Sequence, residues 1–227
     1  NLMKILGFIP ARAGSKGLKN KNMIDFLGRP LIYHTLKVAK KLDVSDIFVS
    51  TDSKKILSYA KKFGIIYNYL RPKKFSNSKS QIIDAVFHGI DWLKKKNNHY
   101  DAVLVLQPSN PHRNSNDINK MIRQFKNKKN QSMITVTKAE EHPYKYFRLK
   151  KNSWDFLEKK ITKSLNRQDY PNNYYVEDGN VYLTKIKFLK RYKNFIIKRH
   201  TTLYKSSLRK IDIDTSQDLQ IAKLLIK

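Results

Sequence analysis

The sequence predicts an α/β fold, a mostly parallel twisted sheet with helices on both faces. Three observations carry this. Short apolar runs such as Ile5 to Ile9 and Ala102 to Leu106 alternate with amphipathic helical stretches. These runs are apolar at successive positions, as in strands buried on both faces, rather than at every second one. The 227 residues suffice for one large domain, or one with an insertion, whose core needs no covalent staples.

Ile5 to Ile9 is the first strand. It opens into Pro10-Ala11-Arg12-Ala13-Gly14-Ser15-Lys16-Gly17-Leu18-Lys19-Asn20-Lys21-Asn22. Glycines let such a loop turn its backbone N–H groups toward an anion, and its cations can neutralise phosphate oxygens. A solvated basic turn would have the same composition. The loop is neither Gly-x-x-x-x-Gly-Lys-Ser/Thr nor Gly-x-Gly-x-x-Gly.

Leu31 to Leu42 carries a helical apolar stripe, and Asp46 to Ser50 is a second strand. Thr51 or Asp52 can cap a helix over Ser53 to Phe63, which Gly64 ends. Ile65 to Leu70 reads as a third strand, stopped by Arg71-Pro72. A polar loop, Phe75 to Ser80, leads to a helix from Gln81 to Lys96 with Ile82, Ile83, Val86, Ile90 and Leu93 inward. Ala102 to Leu106 is a buried strand that Gln107-Pro108-Ser109-Asn110-Pro111 ends abruptly. Asn116 or Asp117 starts a helix to about Lys128, and Ser132 to Thr137 is a fifth strand. Residues 138–178 break the alternation and read as an inserted aromatic arm between two parts of one domain, 1–137 and 179–227. Gly179 to Thr184 returns to the sheet, Tyr204 to Asp214 is the last strand, and Ser216 to Ile226 is the closing helix. In parallel sheets ligands lie beyond the carboxyl ends of strands. The opening loop, Ser50-Thr51-Asp52, Arg71-Pro72 and Gln107 to Arg113 should therefore share one crevice.

The net charge is +29, from 47 Lys and Arg against 18 Asp and Glu, which raises nucleic acid as a partner. The lysines are spread over nearly every segment, however, so a solvated basic surface with salt-sensitive adhesion to polyanions is expected rather than a specific nucleic-acid groove. There is no cysteine, which excludes disulfides and thiolate metal sites. No apolar run approaches the roughly 20 residues of a membrane span. Met3 reads as a natural start, and a cytoplasmic location is expected. None of the six histidines has metal-ligand spacing with another.

Asp212 and Asp214 flank Ile213. On a strand, residues two apart share a side, and two carboxylates there suit magnesium. A strand-end polar pair, with Asp214 or Thr215 capping the helix, fits the spacing equally well.

Taken in order, Ile9 to Gly17 with Lys21-Asn22, Leu106 to Arg113, Arg167-Gln168 and Ile211 to Asp214 resemble the acylneuraminate cytidylyltransferases. These are the CMP-sialic acid and CMP-nonulosonic acid synthetases. The resemblance implies a Rossmann-like nucleotidyltransferase with an inserted dimerisation arm, joining CMP from CTP to the anomeric hydroxyl of a nonulosonic acid and releasing pyrophosphate. N-acetylneuraminate heads the expected substrates, with legionaminate, pseudaminate and Kdo as alternatives. A non-catalytic basic nucleic-acid-binding module is the rival from another class. By resemblance, Arg12, Ala13, Gly14, Ser15, Lys16, Lys21, Asn22 and Arg71 bind the nucleotide. Arg12 and Lys21 would stabilise charge at the α-phosphate. Gln107, Lys145, Arg167 and Gln168 bind the sugar acid, Lys145 and Arg167 coming from the arm. Asp212 and Asp214 hold Mg2+, and Asp214 is the candidate proton acceptor. A homodimer is expected. Tyr175 to Gly179 lacks an arginine that many bacterial sialate enzymes carry there, which leaves the sugar acid open.

Overall fold

The computed structural model describes residues 2–15, 17–77, 79–126, the backbone of 127, 130–158, 174–208 and 210–226. One six-stranded sheet organises them. Its strands are β1 (Ile5–Pro10), β4 (Asp46–Ser50), β5 (Ala102–Val105), β6 (Ser132–Lys138), β9 (Tyr175–Lys185) and β10 (Thr201–Lys205), in the order β10-β6-β9-β5-β1-β4. Two short hairpins complete the strands: β2 (Asp25–Phe26) with β3 (Arg29–Pro30), and β7 (Phe147–Leu149) with β8 (Trp154–Phe156). The helices are α1 (Leu31–Ala39), α2 (Lys54–Lys61), α3 (Ile82–Lys94), α4 (Ser115–Asn127), α5 (Ile186–Tyr192) and α6 (Ser216–Leu225).

Successive residues of β1 and β5 point to opposite faces, and both faces are buried. Ile5, Ile9, Ala102 and Leu104 meet α1, α2 and α4 through Ile32, Leu36, Ile56, Met121 and Phe125. Leu6, Phe8, Val103 and Val105 meet α3 and α5 through Ile83, Val86, Ile90 and Leu189. A third cluster joins the end of the opening loop to α6 through Leu18, Phe26, Leu31, Ile211, Ile213 and Ala222. It lies at the same end of the sheet as the loops that follow β1 and β5.

The sheet is parallel at β4-β1-β5 and β6-β10. β9 runs antiparallel to both β5 and β6. Burial on both faces yields the same apolar pattern in either direction, so the sequence did not separate the two. β6 and β9 pair from Lys138 opposite Tyr175 inward, so the sheet reaches to the ends of the inserted segment. The hairpin β7–β8 carries exposed Phe147, Leu149, Trp154 and Phe156.

Three expectations are corrected. Ile65 to Leu70 is extended, but among the described residues it makes no ladder with β4. Tyr67 and Tyr69 instead lie on Phe48 and Trp92, on the α3 face of the sheet. A segment packed on a sheet face shows the same alternation as a strand. The last strand covers only Thr201–Lys205, and Ile211 to Asp214 runs as a loop. The caps also differ: Ser53, not Thr51 or Asp52, accepts the N-cap bond of α2 from Ile56 N–H, and Asn114 accepts from the N–H groups of Asn116 and Asp117 at the start of α4. Helix α2 stops at Lys61 with Lys62 as its C-cap, short of the expected Phe63, and Gly64 at φ +76° closes the turn that follows. Helix α5 was not anticipated.

Candidate active site

The opening loop leaves β1 and is tied to the end of β4. Ala11 N–H donates to the Ser50 carbonyl at 2.8 Å, and Ala13 N–H to Asp52 Oδ1 at 2.7 Å. Asn22, buried, returns its amide to the Arg12 carbonyl at 2.8 Å, closing the loop on itself. Arg12 Nη1 donates to the Asn77 carbonyl at 2.7 Å, so the polar loop before α3 forms an opposite wall. Asp52, which from sequence fits a ligand or a helix cap equally, serves here to shape the loop.

Ile211 to Asp214 meets that loop from the other side. Ile211 and Ile213 are buried in the third cluster. Asp212 and Asp214 both line a cavity of about 260 Å³ with Arg12, Lys21, Asn22, Arg71 and Gln107. The alternation expected of a strand survives, although the backbone partner is a loop: Ile213 N–H donates to the Ser109 carbonyl at 2.8 Å. Lys21 Nζ donates to Asp214 Oδ1 at 2.7 Å, with the lysine side chain 16% exposed. Gly17 packs so closely on the Asp214 backbone that a β-carbon there would overlap the Asp214 carbonyl oxygen. A second hollow, on the far side of Lys21, is lined by Arg12, Gly14, Ser15, Gly17, Asp214 and Thr215. Thr215 and Asp218 form a capping box that starts α6 directly after the pair. The Thr215 hydroxyl and N–H donate to Asp218 and hold its carboxyl below the usual carboxylate range.

Arg71 is 6% exposed. It donates to the carbonyls of Ser50 at 2.6 Å and Phe75 at 3.4 Å, and its Nε has no partner among the described residues. Burial pushes its pKa down, while Asp52 opposes the shift. Ser80 and Gln81, which sequence reasoning did not single out, line the same wall. Gln107 lines the cavity and donates to the Gly179 carbonyl at 3.4 Å.

Arg113 closes the motif that begins at Leu106. Its guanidinium is buried and donates to the carbonyls of Gln107 (2.7 Å), Asn180 (2.9 and 3.2 Å) and Asn110, and to Thr35 Oγ1 (3.0 Å). Burial pushes its pKa down to about 9, with Asp178 and Asp212 opposing, so it remains a cation at neutral pH.

Of the residues expected at the site, Arg12, Gly14, Ser15, Lys21, Asn22, Arg71, Gln107, Asp212 and Asp214 line one of the two adjoining hollows. Ala13 supports the loop from behind. Lys145 lies outside them on the arm, paired with Glu141 at 2.8 Å. Lys16, Arg167 and Gln168 fall outside the described residues.

A helix-flanked sheet whose first strand ends in a basic, glycine-containing loop facing two aspartates defines a nucleotidyltransferase. The profile of the family described as cytidylyltransferase matches residues 6–226, and this chain belongs to that family. A pseudaminic acid cytidylyltransferase of Campylobacter jejuni subsp. jejuni serotype O:23/36 (strain 81-176) is 32% identical over 228 residues, covering 99% of this chain and 97% of the relative. A CMP-N,N'-diacetyllegionaminic acid synthase of Legionella pneumophila is 30% identical over 227 residues, with the same coverage of 99% and 97%. A CMP:2-keto-3-deoxy-manno-octonic acid synthetase, solved with CTP, superposes with a TM-score of 0.71 over 98% of each chain, at 17% identity. No helix among the described residues is long and apolar enough to cross a membrane.

Proposed function

We propose that this chain transfers CMP from CTP to the anomeric hydroxyl of a nonulosonic acid, releasing pyrophosphate, with Mg2+ as cofactor. One observation carries the reading: the cationic opening loop and the two late aspartates share a cavity, joined by the Lys21–Asp214 pair.

The triphosphate lies along the opening loop, where the loop's N–H groups and the side chains of Arg12, Ser15 and Lys21 meet its oxygens. Lys21 and Arg12 oppose the charge that builds on the α-phosphate as the anomeric oxygen arrives in line, which is the main demand of phosphoryl-type transfer. No covalent nucleophile is required. Arg71 presents a buried donor for an acceptor atom of the pyrimidine, beside Ser80 and Gln81. Gln107 faces the sugar acid, and Asp214 accepts the proton of the attacking hydroxyl.

The donor set fits magnesium. Two carboxylates are the complement that Mg2+ takes when phosphate oxygens and water complete its shell. Asp212 lines the cavity beside Asp214 and acts at longer range on the buried Arg113. Asp212 and Asp214 would hold the ion, which supplies charge neutralisation at the phosphates and acidifies a bound hydroxyl. The arm's exposed aromatic hairpin is the proposed dimer contact, with Lys145, Arg167 and Gln168 completing the sugar side.

Among the nonulosonic acids, pseudaminate is favoured. The pseudaminic acid relative is 32% identical, against 30% for the diacetyllegionaminic acid relative and 29% for a Streptococcus agalactiae N-acylneuraminate cytidylyltransferase. Tyr175 to Gly179 also lacks the arginine of sialate enzymes. A nucleic-acid-binding module is disfavoured because paired carboxylates in the basic cavity would repel a phosphate backbone.

Pyrophosphate release with CTP, UTP, ATP and GTP, against pseudaminate, legionaminate, N-acetylneuraminate and Kdo, tests the reading. Turnover with CTP alone, greatest with pseudaminate and abolished by EDTA, is expected. Turnover with another nucleotide, or none with any acid, would overturn it.

A further inference from the structure

The cytidylyl-transfer reading leaves Arg113 without a part in the chemistry, yet this guanidinium is bonded to every segment behind the acceptor side of the cavity. Its fork reaches the carbonyls of Gln107 and Asn110 on the turn after β5, of Asn180 on β9, and the hydroxyl of Thr35 on α1. The same turn holds the aspartate segment: the Ser109 carbonyl accepts from Ile213 N–H at 2.8 Å. Asn110, with its amide oriented by the surrounding acceptors, donates to the carbonyls of Ile211 and Asp178. Thr135 Oγ1 donates to Asp178 Oδ1 at 2.6 Å, fixing β9 from the far side.

We infer that Arg113 is a positioning residue, clamping the turn after β5 so that Gln107 and the Asp212–Asp214 segment face one another across the cavity. This rests on the proposed cytidylyl transfer for its kinetic consequence only. The opening loop is anchored on β4 and makes no direct bond to Arg113, so loss of the clamp should reach the acceptor side before the nucleotide side.

Only a planar five-donor fork can serve these acceptors together. Lysine keeps the charge but offers three donors from one point, and leaves buried carbonyls without partners. In Arg113→Lys the turn loosens, and the Ser109–Ile213 bond loosens with it. Residue-resolved amide hydrogen exchange reads this directly, whatever the catalytic outcome. Protection of the Ile213 amide should fall about tenfold or more while β1 and β4 amides keep theirs. With CTP and the preferred acid, kcat should fall about 10- to 100-fold, with KM for CTP within about threefold of the parent. Thr35→Val removes one guanidinium partner on the α1 side. It should lower the melting temperature and leave Ile213 exchange and kcat at parent values.

Unchanged Ile213 exchange in Arg113→Lys, or exchange raised uniformly through β1 and β4, overturns the inference even if the parent enzyme is active. If the parent transfers no CMP, the functional reading fails and Ile213 exchange still decides for or against the clamp.

Discussion

Replacing Gly17 by alanine tests the meeting of loop and aspartates at its tightest point. The added methyl would overlap the Asp214 carbonyl oxygen and lie 3.1 Å from its carbonyl carbon, whereas real β-carbons essentially never come within 3.0 Å of such a neighbour. Both partners are backbone, so no flexible side chain can give way. The loop and the Asp214 segment must therefore part by on the order of 1 Å. That displacement is enough to break the 2.7 Å Lys21–Asp214 contact. A misplacement of about 1 Å between groups that must act together costs on the order of a hundredfold in turnover, or about 2.7 kcal/mol of transition-state stabilisation. The ion pair adds little to stability, because Asp214 is 68% exposed and such pairs contribute about 0–1 kcal/mol. Gly17→Ala should thus lose about a hundredfold in kcat, measured well below its melting point, while strain of about 1–3 kcal/mol lowers the melting temperature by roughly 2–12 °C. Stopped-flow pyrophosphate release and a thermal melt on the same sample measure both. Parent-like kcat would refute the reasoning, since it would mean that the approach of Gly17 to Asp214 has no bearing on the chemistry.

Lys21→Ala should lower kcat about 10²- to 10³-fold with little change in KM for CTP, as for a donor aimed at developing charge; a rise in KM alone would assign Lys21 to uniform binding. Gly89→Ala pushes a methyl to 2.7 Å from the Phe8 ring and 3.0 Å from Phe48, and should cost about 1–3 kcal/mol in urea unfolding without altering turnover. Asp218→Asn keeps the backbone bonds of the α6 capping box but loses the charge on its acceptor, and should cost up to about 1 kcal/mol at neutral pH. Because the native carboxyl is held low, its stabilisation is present above the unfolded-state pKa and disappears as pH falls through the folded one. The two proteins' urea midpoints should converge only below the usual carboxylate range, and convergence at neutral pH would remove Asp218 from the account.

Much of this architecture was legible because its physics is local. The apolar runs of β1 and β5, the positive φ at Gly64 and the period-2 placement of Asp212 and Asp214 about Ile213 are each set within a few residues. What was illegible depends on distant partners. The direction of β9, the face-packed course of Tyr67 and Tyr69 and the loop partner of Ile213 leave the one-dimensional pattern unchanged. Arg113 does carry a signal in the sequence: in a lysine-rich chain it is the only Lys, Arg, Asp or Glu between Asp101 and Asp117. An isolated cation following a fully buried strand marks a charge that the fold keeps for internal use.

Lys21 and Asp214 are separated by 193 positions. A growing chain can complete the strands that carry the opening loop before residues 211–214 emerge from the ribosomal tunnel, and until then the loop has no late carboxylates to set against it. The proposed cation site therefore assembles in one late step, and a chain cut before Ile211 would keep the opening loop with only half of that proposed site.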